Sequence, residues 1–367
     1  MKLRNKIAIG FLLFLLLITT VLAIVISYDS ACEPSAAVPD GAETMKAIVH
    51  SCYGSPDVLR FEDIEKPTPA DDQVLVKVAA AAVNPLDWHF MRGTPYFVRL
   101  LTGLGAPDNL GVGVDFAGTV EAVGARVTRF KPGDEVFGGE TGAFAEYVSV
   151  HESGALVLKP ADVSFEEAAS MPIAAATALQ ALRDLGKVEP GQKVLINGAS
   201  GGVGTFAVQI AKVLGAEVTG VCSTRNVELV RSLGADHVFD YTKENYTDSA
   251  EQFDLIIDMV GNHSLLANRR VLKPDGTFII VGGSNGDWFG PMMRPINATL
   301  LSPFVDQEFV MILADMNPDD LTTLGELMQT GKVTAVIDSH FSLREVPAAI
   351  RHSEEGHARG KIIIDVE

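Results

Sequence analysis

Apolar and polar residues follow three different patterns along the 367-residue chain, and the first pattern is a long uncharged run. Residues 7–26, "IAIGFLLFLLLITTVLAIVI", carry no charge, and as a helix they would span about 30 Å, the thickness of a bilayer core. Residues 28–44 are small, acidic and proline-containing, which indicates a flexible tether. We therefore expect a transmembrane helix over residues 1–27, followed by the tether.

The charges that flank the apolar run bear on its orientation. Three basic residues precede it and four acidic residues follow it before Lys46, a bias that places the N-terminus in the cytoplasm. That orientation would put the body of the protein outside, away from the cytosolic supply of reduced cofactor. A cleaved signal peptide and an erroneous upstream start are the competing interpretations. The predicted location is a membrane with a single N-terminal pass, and the side of the body stays open.

The second pattern, from Met45 to about residue 160, is a series of short β-rich runs bounded by glycine, proline and aspartate. Its runs are "MKAIVH", "DDQVLVKVAAAAVN", "GVDFAGTVEAVG", "DEVFGG" and "AFAEYVSV". Closely spaced strands of this kind predict an all-β, barrel-like unit.

The third pattern begins after "LVLKP", where helical and strand periodicities start to alternate. The stretch "SFEEAASMPIAAATALQALRDLG" opens with a capping box at Ser164 and predicts a helix. Strands and helices then alternate as far as "GTFIIVGG", which is typical of a doubly wound parallel sheet. The closing strand, helix and strand, "AVIDSHFSL", "EVPAAIRHSEEG" and "KIIIDV", indicate that the C-terminus returns to complete the β-rich first domain.

Charge and cysteine content exclude two classes of function. The formal net charge of -18 repels nucleic acid, and no basic cluster interleaved with aromatic residues offsets it. Cys32, Cys52 and Cys222 are far apart in the sequence and show no C-x-x-C spacing. We therefore expect neither a disulfide framework nor a thiolate zinc site, and we expect the three cysteines to be buried or inert.

A glycine-rich turn carries the first candidate chemistry. The sequence "NGASGGVG" lies between an apolar strand at residues 193–197 and a helix that starts near Val203. Glycine there permits a tight turn and lets backbone amides approach a pyrophosphate at the helix N-terminus. The predicted cofactor ligands in this turn are Gly198, Ala199, Ser200, Gly201, Gly202, Val203 and Gly204.

The strand that follows, Glu217 to Val221, ends without the acid that an NAD site of this kind uses to bind the ribose. Ser223, Thr224 and Arg225 stand there instead. A carboxylate would repel a 2'-phosphate, whereas a guanidinium pairs with it and hydroxyls donate to it. We therefore predict NADPH as the cofactor; a merely solvated Arg225 is the alternative.

With these motifs the body resembles the medium-chain dehydrogenase/reductase superfamily, in its zinc-free quinone oxidoreductase and enoyl reductase branch. The resemblance runs from Met45 to Val366 and includes "VNPLDWHFMRG", "GVDFAGTVEAVGARVTRFKPGDEVFG", "NGASGGVGTFAVQIAKVLGAEV" and "GHARGKIII". It implies an α/β protein in which a GroES-like, β-barrel-type catalytic domain (residues 45–165 and 332–367) joins a Rossmann domain with a doubly wound parallel sheet (166–331).

The resemblance also bears on metal chemistry. The zinc-dependent branch has Cys where this chain has Asn84, and Gly-His-Glu where it has Gly113-Val114-Asp115. The Cys and His that a catalytic zinc would require are thus absent from these positions, and no metal site is predicted. Without zinc to stabilise an alkoxide, hydride transfer to a quinone or an α,β-unsaturated carbonyl is the natural reaction. The alternatives are a zinc-independent alcohol or carbonyl dehydrogenase and a catalytically weak NADP-binding scaffold or sensor.

Further site residues follow from the resemblance alone. Asn84 and Thr177 would lie near the nicotinamide, with a turn residue and a helix hydroxyl bonded to its own backbone as the respective alternatives. The backbone of Val281, Gly282 and Gly283 would line the carboxamide, and Lys361 would reach cofactor or substrate unless it is simply exposed. His89 and Tyr96 are candidate proton donors, and a purely pocket-lining role with water as the donor is the alternative.

The expected partners follow from these assignments. They are an apolar small molecule, a quinone or an enone, and the lipid bilayer through residues 7–26. A homodimer is left open.

Overall fold

The computed structural model describes residues 2–34, 37–283, 286–288 and 290–366, with side chains throughout except at residues 2–12 and 291–292. The chain begins with helix α1, Lys2–Ser27. In the part of the chain that is described, no helix is long and apolar enough to cross a membrane. We therefore conclude that three predictions were wrong: the single-pass anchor, its contact with a bilayer and the membrane location. Of the predicted span, residues 7–12 lie outside the residues whose side chains are described.

Seven strands follow α1 and supply most of the first domain. They are β1 (Thr44–Val49), β2 (Arg60–Glu65), β3 (Gln73–Val83), β4 (Asp115–Val123), β5 (Glu135–Gly139), β6 (Tyr147–His151) and β7 (Leu156–Leu158). Two short helices, α2 (Pro85–Arg92) and α3 (Arg99–Thr102), lie between β3 and β4. Strand β3 is buried along nearly its whole length because β4 and β6 both pair with it.

The helix predicted after Ser164 is divided. Ser164 caps α4 (Phe165–Ala169) by accepting a hydrogen bond from the Glu167 N–H, as the capping box predicts. The chain then breaks before α5 (Pro172–Gln180), because Pro172 has no N–H to continue the hydrogen-bond ladder of α4. The break turns α5 so that it packs against the first helix of the second domain.

The second domain is built on a six-stranded parallel sheet. Its strands are β8 (Lys193–Asn197), β9 (Glu217–Cys222), β10 (His237–Asp240), β11 (Phe253–Asp258), β12 (Leu272–Ile280) and β13 (Glu308–Met311), in the order β10-β9-β8-β11-β12-β13. The helices are α6 (Gly202–Val213), α7 (Val227–Ser232), α8 (Leu265–Arg270) and α9 (Gly290–Leu301). The order reverses beside β8, which places the turns after β8 and β11 at the cleft where such sheets bind ligands.

The end of the chain returns to the first domain. After α10 (Pro318–Gln329), the chain forms β14 (Ile337–Ser342), α11 (Val346–Glu354) and β15 (Lys361–Asp365). Strand β15 pairs with β3 in a seven-stranded sheet of order β14-β15-β3-β4-β5-β7, whose seventh strand, β6, also pairs with β3. The α/β architecture with a GroES-like and a Rossmann-like domain is thus confirmed, and β15 carries Lys361 to the boundary between the domains.

Two of the three cysteines form a disulfide, so the expectation that the cysteines would form no disulfide was wrong. Cys32 and Cys52 are joined with their Cα atoms 4.8 Å apart, while Cys222 is free and buried. Sequence spacing could not reveal the pair, because it depends on residues after α1 folding back against the turn that follows β1. The disulfide fixes part of the predicted tether to the catalytic domain.

Candidate functional site

The glycine turn after β8 has the backbone geometry that a dinucleotide needs. Gly198 adopts φ +95°, a conformation that side chains disfavour. A Cβ added to Gly204 would lie 2.1 Å from the Gly198 carbonyl oxygen, so only glycine fits where α6 crosses the turn. A Cβ on Gly201 would meet nothing nearer than 3.5 Å. The turn is therefore closed on its protein side and open towards the cleft, above the first N–H groups of α6.

The side chains of the three residues after β9 differ in their hydrogen-bond partners. The Thr224 hydroxyl donates to Asp240 Oδ2 at 2.6 Å. Hydrogen bonds from Lys243 and Thr224 hold the pKa of Asp240 well below its usual range, so this carboxylate is ionised and internally paired. Arg225 is exposed, and its Nη2 donates to the His357 carbonyl at 2.6 Å. Arg225 and Ser223 are thus the groups of this trio available to a 2'-phosphate.

Asn226 is a site residue that the sequence reasoning missed. Its Nδ2 donates to Ser200 Oγ at 2.9 Å, which links the end of β9 to the glycine turn. Its Oδ1 is buried and has no hydrogen-bond partner in the described structure. An orphaned acceptor between the glycine turn and Arg225 fits a ribose hydroxyl, which is a donor. This atom, together with the open side of Gly201, shows that the residues present suit a dinucleotide.

A buried polar cluster joins the catalytic domain to the glycine turn. Lys361 Nζ donates to Asn84 Oδ1 and lies 3.4 Å from Asp115 Oδ2, and Asn84 Nδ2 donates to the same carboxylate oxygen at 3.0 Å. The other oxygen, Asp115 Oδ1, accepts from the Ile173 N–H at 3.1 Å. Lys361 is only 3% exposed, so the expectation that it could be a surface lysine is excluded. We call Asn84, Asp115 and Lys361 the lysine cluster.

The lysine cluster touches the glycine turn directly. A Cβ on Gly202 would lie 3.2 Å from Lys361 Cδ, and the Gly360 N–H donates to the Ser200 carbonyl at 2.9 Å. The structure therefore brings together the predicted residues Asn84, Lys361 and the turn, although they come from three distant parts of the sequence.

Asp87 lies beside the lysine cluster and has a strongly perturbed carboxyl group. It is 2% exposed, and its Oδ2 accepts from the Asn84 N–H at 2.6 Å. Burial raises the pKa of Asp87 to about 8, with the nearby Asp115 charge adding to the effect. Burial also raises the pKa of Asp115, although Lys361 and Asn84 oppose that shift. Asp87 is therefore a neutral carboxylic acid at pH 7.

The two candidate proton donors lie on the chain between α2 and α3. His89 Nδ1 is 2.7 Å from the Thr94 carbonyl, which can only accept, so Nδ1 carries the proton. Burial lowers the pKa of His89, which leaves the ring neutral with Nε2 as an acceptor. Tyr96 is half-buried, and its ring packs edge-on against Trp288 with centroids 4.8 Å apart.

The remaining predicted residues lie at the ends of elements that face the cleft. Thr177 Oγ1 donates to the Ile173 carbonyl at 2.6 Å. This is the bond to the helix backbone that was the alternative to a ligand contact. Only the lone pairs of the hydroxyl oxygen are therefore left for a ligand. The Val281 and Gly282 N–H groups donate to the Asp258 carbonyl, which anchors the chain leaving β12. A Cβ on Gly282 would lie 2.2 Å from the Met259 carbonyl oxygen, so this segment passes close to the end of β11. Gly283 follows directly and leads towards Trp288.

Within the described ranges, no group of three or more histidine, cysteine, aspartate or glutamate side chains is placed to hold a metal ion. Val114 stands at the position of the His of the zinc-dependent branch, and the next residue, Asp115, has both carboxylate oxygens engaged by groups of the protein.

Comparisons with known proteins agree with this geometry. Residues 70–161 match a family model described as the alcohol dehydrogenase GroES-like domain, and residues 233–364 match one described as zinc-binding dehydrogenase. The chain is 35% identical to 2-methylene-furan-3-one reductase of Solanum lycopersicum, over 94% of this chain and 86% of that protein. It is 34% identical to the chloroplastic NADPH-dependent alkenal/one oxidoreductase of Arabidopsis thaliana, over 87% and 79%. The solved quinone oxidoreductase of Coxiella burnetii superposes with a TM-score of 0.79 at 30% identity, covering 89% of this chain and all of that one.

Proposed function

The chain belongs to the medium-chain dehydrogenase/reductase superfamily, in its zinc-free quinone oxidoreductase branch, and from this premise we propose that it reduces a quinone or an α,β-unsaturated carbonyl compound. It is an NADP-dependent oxidoreductase, and NADPH is its cofactor. When bound, NADPH supplies a hydride, which would go to the β-carbon of an enone or to a quinone. The observation that carries the proposal is the lysine cluster, which stands where an alcohol dehydrogenase of this superfamily would need metal ligands.

The donor chemistry of the lysine cluster supports a zinc-independent reaction. A catalytic zinc needs three protein ligands and one open position, and thiolate, imidazole and carboxylate are its usual donors. Asn84 offers a neutral amide, and Asp115 is already bound to Lys361, Asn84 and the Ile173 N–H. A metal ion could enter only by breaking a buried ion pair, which is costly. Polarised C=C bonds and quinones accept hydride without a Lewis acid.

The lysine cluster also has a positioning role in this proposal. It lies between α5, the strand pair β3–β15 and the glycine turn, so it holds the catalytic domain in register with the cofactor turn. Thr177 lines the same side of the cleft with its lone pairs, and the backbone after β12 closes the opposite side.

The hydrogen bonds favour Tyr96 over His89 as the group that delivers the proton. Neutral His89 has its only ring proton engaged by Thr94, so it can orient a water through Nε2 but has no proton to give. A tyrosine hydroxyl is a hydrogen-bond donor. We therefore assign proton delivery to Tyr96 or to a water held by His89.

The decisive experiment is a labelling assay on the full chain. NADPH carrying deuterium at nicotinamide C4 is incubated with an enone, and the product is analysed by NMR. The proposal expects deuterium at the β-carbon of a saturated ketone, with the rate unchanged by a metal chelator. Deuterium on the carbonyl carbon of an allylic alcohol would instead identify a carbonyl dehydrogenase. Tight NADPH binding without turnover of enones or quinones would leave the scaffold function.

The homodimer stays a prediction. Strand β13 is one of the two outer strands of the described parallel sheet, so its edge offers backbone donors and acceptors to a second copy. Sedimentation velocity of the chain would decide between monomer and dimer.

A further inference from the structure

Residues 26–33, which we call the docked segment, lie against residues 93–105, which we call the Arg99 loop. The Ser30 N–H donates to the Gly105 carbonyl at 2.8 Å. Gly105 has φ +81°, and a Cβ there would come within 2.9 Å of Ser30 Oγ, so the two chains are in close contact. At its far end the segment is held by the Cys32–Cys52 disulfide, and the Glu33 carbonyl accepts from Arg60 Nη1 at 3.0 Å.

Arg99 is the centre of this contact and is 2% exposed. Its Nε donates to the Gly93 carbonyl at 2.9 Å, and its Nη1 donates to the carbonyls of Ile26 and Tyr28 at 3.2 and 3.0 Å. Its Nη2 pairs with Asp29 Oδ1 at 2.8 Å. The carboxylate that neutralises this buried cation is therefore supplied by the docked segment. A buried arginine without its carboxylate is strongly unfavourable, so the Arg99 loop depends on the segment for its conformation.

Two tyrosine rings extend this contact towards the cleft. The Arg99 guanidinium lies 4.5 Å from the ring centroid of Tyr53 and 4.7 Å from that of Tyr96. Tyr53 directly follows the disulfide residue Cys52, and its hydroxyl donates to the Gly103 carbonyl at 2.8 Å. Tyr96 packs against Trp288, and its N–H donates to the Asp287 carbonyl at 2.6 Å. Both of these residues follow the cofactor-facing segment Val281–Gly283.

We propose that the docked segment is part of the substrate-binding wall: Asp29 and the disulfide hold Arg99, and Arg99 is the positioning residue that sets Tyr96. The proposal rests on the proposed function, because that function includes Tyr96 as a candidate for proton delivery to the substrate. It predicts that releasing the segment weakens substrate binding while NADPH binding is retained, since the glycine turn and Arg225 lie elsewhere.

The disulfide makes this wall sensitive to dithiols. Cys32 is exposed, whereas Cys52 is 1% exposed, so an attacking thiolate reaches Cys32 Sγ. The thiolate forms a mixed disulfide with Cys32 and Cys52 leaves as a thiolate, which takes up a proton. The second thiol of the dithiol then releases Cys32 as a thiol. The products are two protein thiols and one oxidised dithiol, so electrons and protons balance.

The test compares four forms of the full chain: Asp29→Asn, Arg99→Lys, Cys32→Ser and the matched control Asp40→Asn, which removes a carboxylate from residues outside the docked segment. The substrates are but-3-en-2-one and trans-2-nonenal with saturating NADPH. We expect KM to rise about tenfold in the first three forms and the NADPH Kd to be unchanged. The wild type treated with dithiothreitol should match Cys32→Ser, which should not respond to the reagent. KM values within about twofold of the wild type in Asp29→Asn and Arg99→Lys would overturn the proposal.

Hydrogen–deuterium exchange of the same proteins separates this proposal from the proposed function. Amides of residues 93–105 should exchange faster in Asp29→Asn and in the reduced wild type, with residues 198–204 unaffected. Unchanged protection of residues 93–105 would refute the proposal even if the enzyme is active. If neither enone is turned over but the protection is lost as expected, the proposed function fails and the link from Asp29 through Arg99 to Tyr96 stands.

Discussion

The glycine turn and the lysine cluster touch each other, yet they are built in opposite ways. The turn uses backbone from one stretch of seven residues, and its key property is the absence of side chains at Gly198 and Gly204. The lysine cluster uses side chains from strands β4 and β15 and from the turn after β3, and its key property is that buried charges satisfy each other. The glycine turn can accept a ligand because side chains are absent there. The lysine cluster directs the reaction because its buried charges are paired and hold its side chains in place.

The difference indicates which kind of substitution damages each half of the site. A backbone turn is damaged by added atoms, whereas a buried charge cluster is damaged by removed atoms. The following predictions use that contrast, beginning with the largest expected effect.

Removing the Lys361 cation should cause the largest loss of stability. Lys361→Met leaves the buried Asp115 carboxylate without its cation, and we expect the free energy of unfolding to fall by about 3–5 kcal/mol. Urea denaturation at pH 7 measures the change. In the double variant Lys361→Met/Asp115→Asn no unpaired charge is left, so part of the loss should be recovered. A double variant that loses the sum of both single effects would show that the cluster is not a coupled unit.

Adding a methyl group to the turn tests the other side of the comparison. In Gly204→Ala the new Cβ would lie 2.1 Å from the Gly198 carbonyl oxygen, and we expect a loss of about 2–3 kcal/mol in unfolding free energy. Gly201→Ala is the matched control, because its Cβ faces open space. That control should unfold like the wild type but bind NADPH more weakly in fluorescence titration. Equal stability of the two variants would contradict the geometry of the turn.

Arg225 sharpens the comparison at the edge of the turn. Arg225→Ala removes a charge-assisted contact of about 1.5–3 kcal/mol, which corresponds to a loss of about tenfold to a hundredfold in NADPH affinity. NADH, which lacks the 2'-phosphate, should be affected much less. Arg231→Ala removes an exposed arginine of α7 and serves as the control. If NADPH and NADH lose affinity equally, Arg225 does not read the phosphate.

Asp87 gives a pH dependence, and its effect per pH unit is the smallest of the four. Its pKa is raised to about 8 in the folded chain, so between about pH 4 and pH 8 the folded state holds a proton that the unfolded state has lost. Stability therefore falls as pH rises through this window, with a slope of up to about 1.4 kcal/mol per pH unit from this group. Asp87→Asn should remove that slope, and Asp162→Asn, at an exposed position, should leave it. Thermal unfolding from pH 4.5 to 8 compares them, and an unchanged slope in Asp87→Asn would contradict the assignment.

Local features were predictable from the sequence, and features that depend on distant chain segments were not. The glycine turn, the missing acid after β9 and the capping box at Ser164 each lie within a few residues, so their chemistry is visible in the sequence. The burial of Lys361 was not predictable, because it depends on β15 pairing with β3 across most of the chain. The Cys32–Cys52 disulfide and the contacts of Arg99 were missed for the same reason.

Other differences between prediction and structure concern single segments of the chain. The predicted helix after Ser164 was correct in type, but Pro172 divides it, and a proline inside a helical pattern is the signal that should have set the boundary. Helix α9 and strand β13 were not predicted, since the sequence between β12 and α10 shows neither a clear cap nor a regular period. The expected bilayer anchor was wrong, since no helix of the described residues is long and apolar enough to cross a membrane.

The pairing of β15 with β3 also orders events during synthesis. The strands of the parallel sheet lie within residues 193–311, so this sheet can assemble as soon as that stretch has left the ribosome. Strands β1 to β7 of the catalytic domain emerge before this sheet, but the domain cannot complete its own sheet until β15 has left the ribosome. Until then the side of β3 that β15 will cover is exposed, so the first domain to be made is the last to be finished. The emergence of β15 from the ribosome, more than that of the cofactor turn, marks the moment when this protein can first hold its substrate and its cofactor together.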